Sequence, residues 1–396
     1  MLTLSRKIQP GDVSPTSALA ERARRQQEAG IDIVNLTSGE PNFPTPRHIK
    51  EAAIKAIEGN LTLYTPNQGS PDLVQAVARK FSLENDLHFE PDQILISSGA
   101  KQSVFNALQS ICNKGDEVIL IAPHCPDYPE MVRLVEAVPV VVTTTIDKKF
   151  KPDARDIRKA INQKTKAILL NSPNNPSGAV YGRSLAEEIA AMAKNAGIFI
   201  LSDEVYEKLV YEGAKHFSIG SLKSVRDQVI TINGASMAFA MSGWRIGYMG
   251  GPPSVISAAA KLQSLCTFGP NSVAQHAAAT ALTGPTGERE AMLAEFTRRR
   301  DYAVESLTAI RDVKVVLPEG AFFVFFDIRR FLHTRPGKRM VRNSLDLATF
   351  LLEDHHVVTS PGVAFGDDGC LRISLAHPMA ELERGMKRLK TGLGEL

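Results

Sequence analysis

The chain has 396 residues, 43% hydrophobic and 22% charged, a globular composition too long for a single core, which predicts one large and one smaller domain. Its formal net charge of +3 leaves no basic stripe for nucleic acid, and Arg22, Arg24, Arg25, Arg298, Arg299 and Arg300 fall within amphipathic helical patterns that read as solvated faces. Cys112, Cys125, Cys266 and Cys370 are too widely spaced for a zinc site or disulfide framework, no apolar run approaches a membrane span, and MLTLSRKIQPGDV lacks a signal peptide's apolar core, so a soluble protein of the reducing cytoplasm, without metal, is expected.

Ser14 before Pro15 and Ser70 before Pro71 each read as a helix N-cap with proline in the first turn. From about residue 14, helical patterns alternate with apolar runs at 94–97, 118–122, 138–142, 167–170, 198–201 and 229–232. That alternation predicts an α/β fold, a mainly parallel sheet flanked by helices. After Gly284-Pro285 a long polar helical pattern runs to about residue 311, followed by a strand at 321–327, a helix from Ser344, strands near Val357 and at 371–375, and a closing helix. This texture predicts a smaller α+β domain. The expected division is 1–45 as an arm and part of the small domain, 46–285 as the large domain and 286–396 as the rest of the small one.

Five stretches carry chemistry. SerSerGlyAlaLys at 97–101 stands where an apolar run ends and the helical pattern AKQSVFNALQSI begins. Free N–H groups at a helix start attract an anion, and Gly99 allows close approach, although most such joints bind nothing and this one is neither GxGxxG nor a Walker loop. SPNNPSG, at 172–178, follows KAILLN. Pro and Asn alone make a rigid turn, but at the carboxyl end of a strand Asn175 can present its amide to a ligand. In LSDEVYEKLVY, Asp203 ends an apolar run and Tyr206 stands three residues on. The plain reading is a helix cap; the sharper one is a carboxylate that keeps a pyridine nitrogen protonated and a phenol that bonds the neighbouring ring oxygen, as a pyridoxal electron sink needs. TINGASMAFAMSGWRIGYMG sets Arg245, a planar bidentate donor suited to phosphate, after a run of small residues. In LRISLA, Arg372 lies within an apolar strand, where either a structural salt bridge or a substrate carboxylate must offset its burial.

In order and over nearly the whole chain, SGEPNFPTP, SGAKQ, SPNNPSG, SDEVYE, NGAS…FAMSGWRIGY, PEGAFF and LRISLA resemble the class I aminotransferases, fold-type-I pyridoxal-phosphate enzymes, and among them the bacterial aspartate aminotransferases. The resemblance implies a homodimer with pyridoxal 5'-phosphate as cofactor and an amino acid and a 2-oxo acid as substrates. It implies that Asp203 pairs with the pyridine nitrogen and that Tyr206 and Asn175 hold the ring hydroxyl oxygen. Gly99, Ala100, Lys101, Ser236 and Arg245 would bind the phosphate, with Tyr64 reaching over from the second subunit. Arg372 would grip the substrate α-carboxylate, helped by Asn175 and the backbone of Gly39.

Two positions depart from the pattern. Met237 stands eight residues before Arg245, where the family has the lysine that holds the cofactor covalently and shuttles a proton. Cys125, in PHCPDYPEM, stands where an aromatic stacks on the ring and touches the substrate region. With Asp203, Tyr206, Asn175, Arg245 and Arg372 all retained, Met237 reads as a deliberate substitution that leaves transamination nearly inactive. The alternatives that stay open are a natural lysine-free enzyme using another base, which Cys125 supports, a natural lysine-free cofactor binder without catalysis, for which Met237 is the feature, and another reaction on the same scaffold, such as elimination, cyclisation or oxidation of an amino acid. Lys101 and Ser14 match positions near the substrate side chain in some acidic-substrate relatives, a lean towards aspartate or glutamate.

Overall fold

Short Ile, Leu and Val runs that are buried on both faces suit a parallel sheet covered by helices on each side. The computed structural model describes Lys7, residues 15–336 and residues 339–396. Its strands are β1 (Val34–Asn35), β2 (Ile94–Ser97), β3 (Glu117–Ala122), β4 (Val138–Thr143), β5 (Thr165–Asn171), β6 (Phe199–Asp203), β7 (Val229–Gly234), β8 (Gly247–Gly250), β9 (Lys314–Val315), β10 (Phe323–Asp327), β11 (Val357–Val358), β12 (Ser360–Pro361) and β13 (Cys370–Ser374).

The main sheet has the order β2-β8-β7-β6-β5-β3-β4. From β4 through β7 the neighbours are parallel, and β8 runs antiparallel to both β2 and β7. Alternation along a strand feeds two cores. Val118 and Leu120 of β3 join Val104 and Leu108 on one face, while Ile119 and Ile121 join Ile168 and Ile189 on the other. Gly247 opens β8 against the start of helix Ala100–Ile111, and a Cβ there would come within 2.2 Å of the Ala100 nitrogen. Only glycine lets that strand pass beneath the helix start.

A second sheet has the order β12-β13-β10-β9, and β1 pairs in parallel with β11, so the amino-terminal segment joins the carboxy-terminal one. Phe322, Phe323 and Phe326 are fully buried here, in one apolar cluster with Leu19, Leu36, Phe296 and Leu389. The helix expected after Gly284-Pro285 spans Gly287–Thr308. No helix of the described residues is long and apolar enough to cross a membrane.

Two local expectations are corrected. Helix Pro71–Asn85 starts where the Ser-Pro signal places it, but the Ser70 hydroxyl makes no capping bond; its N–H donates instead to Gln275 Oε1 at 2.7 Å. Ser14 lies outside the described residues. Arg298 is exposed and paired with Glu295, as a solvated face requires, whereas Arg299 and Arg300 are buried. Arg299 stacks on Phe43 and donates to Asn42 Oδ1 at 2.7 Å, and Arg300 lies over the Tyr211 ring. Aromatic faces distant in sequence cover both guanidinium groups.

Candidate active site

Asn171, Asp203 and Gly234 end three adjacent parallel strands, the edge of an open α/β sheet at which ligands bind. A cavity of about 170 Å³ opens there. Ala100, Lys101, Asn175, Asp203, Tyr206, Ser236 and Arg245 line it, and so do Met237 and Cys125. Gly39, Gly99, Tyr64 and Arg372 are not among its lining residues.

Asp203 is buried, and its carboxylate accepts from the Tyr128 hydroxyl at 2.6 Å (Oδ2) and from the Val205 N–H at 3.3 Å (Oδ1). Burial pushes its pKa up, against the Tyr128 bond, to about 6. No Lys, Arg or His forms an ion pair with it among the described residues. The SDEVYE segment splits by direction: Asp203 and Tyr206 face the cavity, whereas Glu204 and Glu207 enter a buried polar network. His216 Nε2 meets Glu204 Oε2 at 3.0 Å, Ser202 and Ser218 donate to Glu204 Oε1, and Lys80 pairs with Glu207. Burial would raise Glu207, but Lys80, Lys208 and His216 outweigh it and hold the group at about 2. This network anchors the end of β6 from behind.

Two residues missed by the sequence reading complete the floor. Asn171 accepts the Asn175 N–H at 2.8 Å and donates to the Asp203 carbonyl at 3.1 Å, which ties the SPNNPSG turn to β6. Tyr128 supplies the bond to Asp203. It stands three residues after Cys125 within PHCPDYPEM, and nothing in the sequence marks its hydroxyl as facing Asp203.

At another part of the cavity, helix Ala100–Ile111 starts without a side-chain cap, which leaves its first N–H groups for an anion. Gly99 has φ +88°, and a Cβ on it would come within 2.2 Å of Arg245 Nη2, so glycine is what lets the guanidinium lie against this loop. Arg245 donates to the Ser242 carbonyl at 2.8 Å. Lys101 Nζ, at the rim, pairs with Asp127 Oδ2 at 2.6 Å.

Arg372 is buried and donates to Asn175 Oδ1 at 3.0 Å, to the Thr37 carbonyl at 2.9 Å and to Ser360 Oγ at 3.2 Å, between the rings of Phe323 and Phe365. Its Nε has no partner, and no carboxylate pairs with it among the described residues. Burial lowers its pKa to about 10. Among the described residues the structural salt bridge left open by the sequence is therefore absent. Gly39 is exposed, two residues beyond Thr37. Tyr64 is 92% exposed and packs on Phe268 at 5.7 Å, away from the lining of its own cavity.

Met237 sits half-buried on the single turn Ala235–Ala238 that follows β7. Burial pushes the Cys125 thiol up to about 12, so it is neutral at physiological pH and a poor nucleophile.

The family model for class I and II aminotransferases matches residues 31–389. A bifunctional aspartate aminotransferase and glutamate/aspartate-prephenate aminotransferase of Petunia hybrida is 41% identical over 397 aligned positions, covering 99% of this chain and 83% of that protein. The aspartate/prephenate aminotransferase of Thermus thermophilus is 41% identical over 397 positions, with 100% of both covered. Among solved structures, the aspartate aminotransferase from Rhizobium meliloti superposes with a TM-score of 0.97 at 36% identity over 100% of both chains. The Thermus thermophilus aspartate aminotransferase with maleate gives 0.92 at 40% identity, covering 99% of this chain and 100% of that one.

The cofactor of this family is pyridoxal 5'-phosphate, and the donor set suits it in kind. A buried carboxylate without a cation matches a protonated pyridine. An uncapped helix start beside a guanidinium matches a phosphate. A buried phenol beside the Asn175 amide matches a ring oxygen. No amine stands at residue 237, and Lys101, the only lysine lining the cavity among the described residues, is engaged by Asp127, so the fit is one without a covalent bond. This chain, with the aspartate aminotransferase fold, belongs to the class I and II aminotransferases.

Proposed function

We propose that this is the site of an aminotransferase acting between an L-amino acid and a 2-oxo acid, with aspartate or glutamate as one partner and with Met237 in the place of the reaction's lysine. The observation that carries the reading is Arg372, a buried guanidinium with a free Nε and no carboxylate partner among the described residues, beside a cavity of cofactor-binding chemistry. A buried cation of that kind is poised for a ligand's carboxylate.

When bound, pyridoxal phosphate supplies an electron sink for the bond broken at the amino acid's α-carbon. The chain's residues hold and orient the reactants. Asp203 keeps the proton on the ring nitrogen, Tyr206 and Asn175 hold the ring oxygen, and the helix start at Gly99, Ala100 and Lys101, with Ser236 and Arg245, holds the phosphate. Arg372 takes the α-carboxylate, with Asn175 and the backbone near Gly39 closing on it. Lys101, at the rim, is placed for a second carboxylate in exchange for Asp127. The relatives named for aspartate and prephenate, and the one solved with the dicarboxylate maleate, support an acidic substrate.

Met237 reads as a substitution in a site built for lysine, because the surrounding groups keep the chemistry that lysine would use. The source gene tests this cheaply: a lysine codon at 237 supports it, and a methionine codon favours a natural lysine-free protein. A second copy of the chain would cover the exposed Leu63, Tyr64, Leu265 and Phe268 and bring Tyr64 to its partner's phosphate site, in a cytoplasmic homodimer. Residues 1–45 and 286–396 would form the smaller domain around the β12-β13-β10-β9 sheet.

Asp203→Asn tests the ring-nitrogen role. Because burial raises this carboxyl to about 6, it is protonated below that pH and must lose its proton to receive a pyridinium. Affinity for pyridoxal phosphate should rise with pH through about 6 and level off above it. A charge-assisted bond contributes about 1.5–3 kcal/mol, so the amide should weaken binding roughly 10- to 100-fold at pH 8 and flatten the acid limb. Fluorescence titration checks this, and an unchanged affinity curve would remove Asp203 from the role.

A further inference from the structure

We propose that Tyr128 is a positioning residue that orients Asp203 and keeps its carboxylate ionised towards the cofactor's ring nitrogen. The proposal rests on the reading of the cavity above. Tyr128 is buried in helix Asp127–Leu134 and borders the cavity that Asp203 and Cys125 also line. Its hydroxyl donates to Asp203 Oδ2 at 2.6 Å, between residues 75 apart in sequence.

A carboxylate offers about four lone-pair sites. The Val205 N–H occupies one on Oδ1 and the Tyr128 hydroxyl one on Oδ2. Two donors from different elements stop the group rotating and leave the remaining lone pairs for a third donor, which the ring N–H of a protonated pyridine would provide. Without Tyr128, Oδ2 loses a donor in a buried setting, where an ionised oxygen is most costly. Burial and the adjoining carboxylate push the Tyr128 phenol well above its ordinary range, so it stays protonated and can act only as the donor here.

The other groups around Asp203 do not substitute for it. Glu204, the first residue after β6, raises the Asp203 pKa by its charge but is turned into the network of His216, Ser202 and Ser218. Lys80 pairs with Glu207 in that same network. Cys125 and Tyr206 border the cavity, and burial keeps both protonated. Lys101 is held by Asp127, Arg245 is bonded to Ser242, and Arg372 is committed to Asn175, Thr37 and Ser360. The bonds that lower the Asp203 pKa come from Tyr128 and the Val205 N–H.

The test is the pH dependence of affinity for pyridoxal phosphate in the unaltered chain and in Tyr128→Phe. The control ligand is the same phosphate ester with carbon in place of the ring nitrogen, which shares the phosphate's own titration. We expect Tyr128→Phe to weaken the nitrogen-containing ligand by about tenfold at neutral pH and to move the midpoint of its acid limb to higher pH, with no change for the carbon analogue. In an Asp203→Asn background the same change should add nothing. Should Tyr128→Phe fail to fold, difluorotyrosine incorporated at 128, a stronger donor, should move the midpoint to lower pH. An unmoved midpoint, or equal loss for both ligands, overturns the proposal and leaves the cofactor reading standing. Failure of the unaltered chain to bind pyridoxal phosphate at all overturns both.

Discussion

Met237→Lys is expected to raise amino transfer from aspartate or glutamate to a 2-oxo acid by at least about 10²- to 10⁴-fold, the usual contribution of a positioned general base. Lysine at 237 would add a nucleophile as well as a proton carrier, and methionine matches it in length and flexibility, so the turn Ala235–Ala238 should accept the exchange without rearrangement. The half-buried position and the Arg245 guanidinium lining the same cavity both favour the neutral amine needed for attack. Single-turnover assays against several oxo acids measure the gain. A covalently loaded Met237→Lys protein that transfers to no acceptor would favour another reaction on this scaffold.

Arg372→Ala carries the second large effect. Truncating one partner of a buried charged pair costs about 2–5 kcal/mol, a loss of roughly 30- to 5,000-fold in affinity for a ligand carboxylate. Maleate is a suitable probe because it binds without reacting, and calorimetric titration of the cofactor-loaded protein gives the affinity directly. Cofactor affinity should be spared, since Arg372 contacts Asn175, Thr37 and Ser360 rather than the cavity's phosphate end. The variant should not be greatly destabilised in the absence of ligand, because it also removes a buried charge that no carboxylate of the described residues neutralises. Equal maleate affinity in the variant and the unaltered chain would assign Arg372 to structure alone.

Much of the main sheet was legible because its strands are continuous apolar runs with few competing interpretations. The run at 94–97 is β2 itself, and those at 118–122 and 229–232 lie inside β3 and β7, each longer by one or two residues. What escaped the sequence depends on partners distant along the chain. Arg299 and Arg300 look solvated until Phe43, Asn42 and Tyr211 cover them, and Ser70 stands at the N-cap as its sequence suggests but without the hydroxyl bond a serine cap usually makes. At the site, Asp203, Asn175 and Arg245 could be picked out because strand ends and motif order place them. Tyr128 could not, since its part is defined by a bond across the sheet edge to β6, and hydroxyl direction has no sequence signature. Arg372 illustrates the remaining limit: residue type favoured a salt bridge, and only the folded chain shows that no carboxylate of the described residues is there.

The central claim, that the cavity holds pyridoxal phosphate without a covalent bond and that residue 237 alone withholds it, is tested most directly by intact-mass and peptide mass spectrometry after loading and borohydride reduction. The unaltered chain should bind the cofactor, release it on denaturation and show no added mass. Met237→Lys should gain one cofactor, mapped to residue 237. An adduct on the unaltered chain at Lys101 or any other lysine, or an adduct in the variant away from 237, would contradict this account.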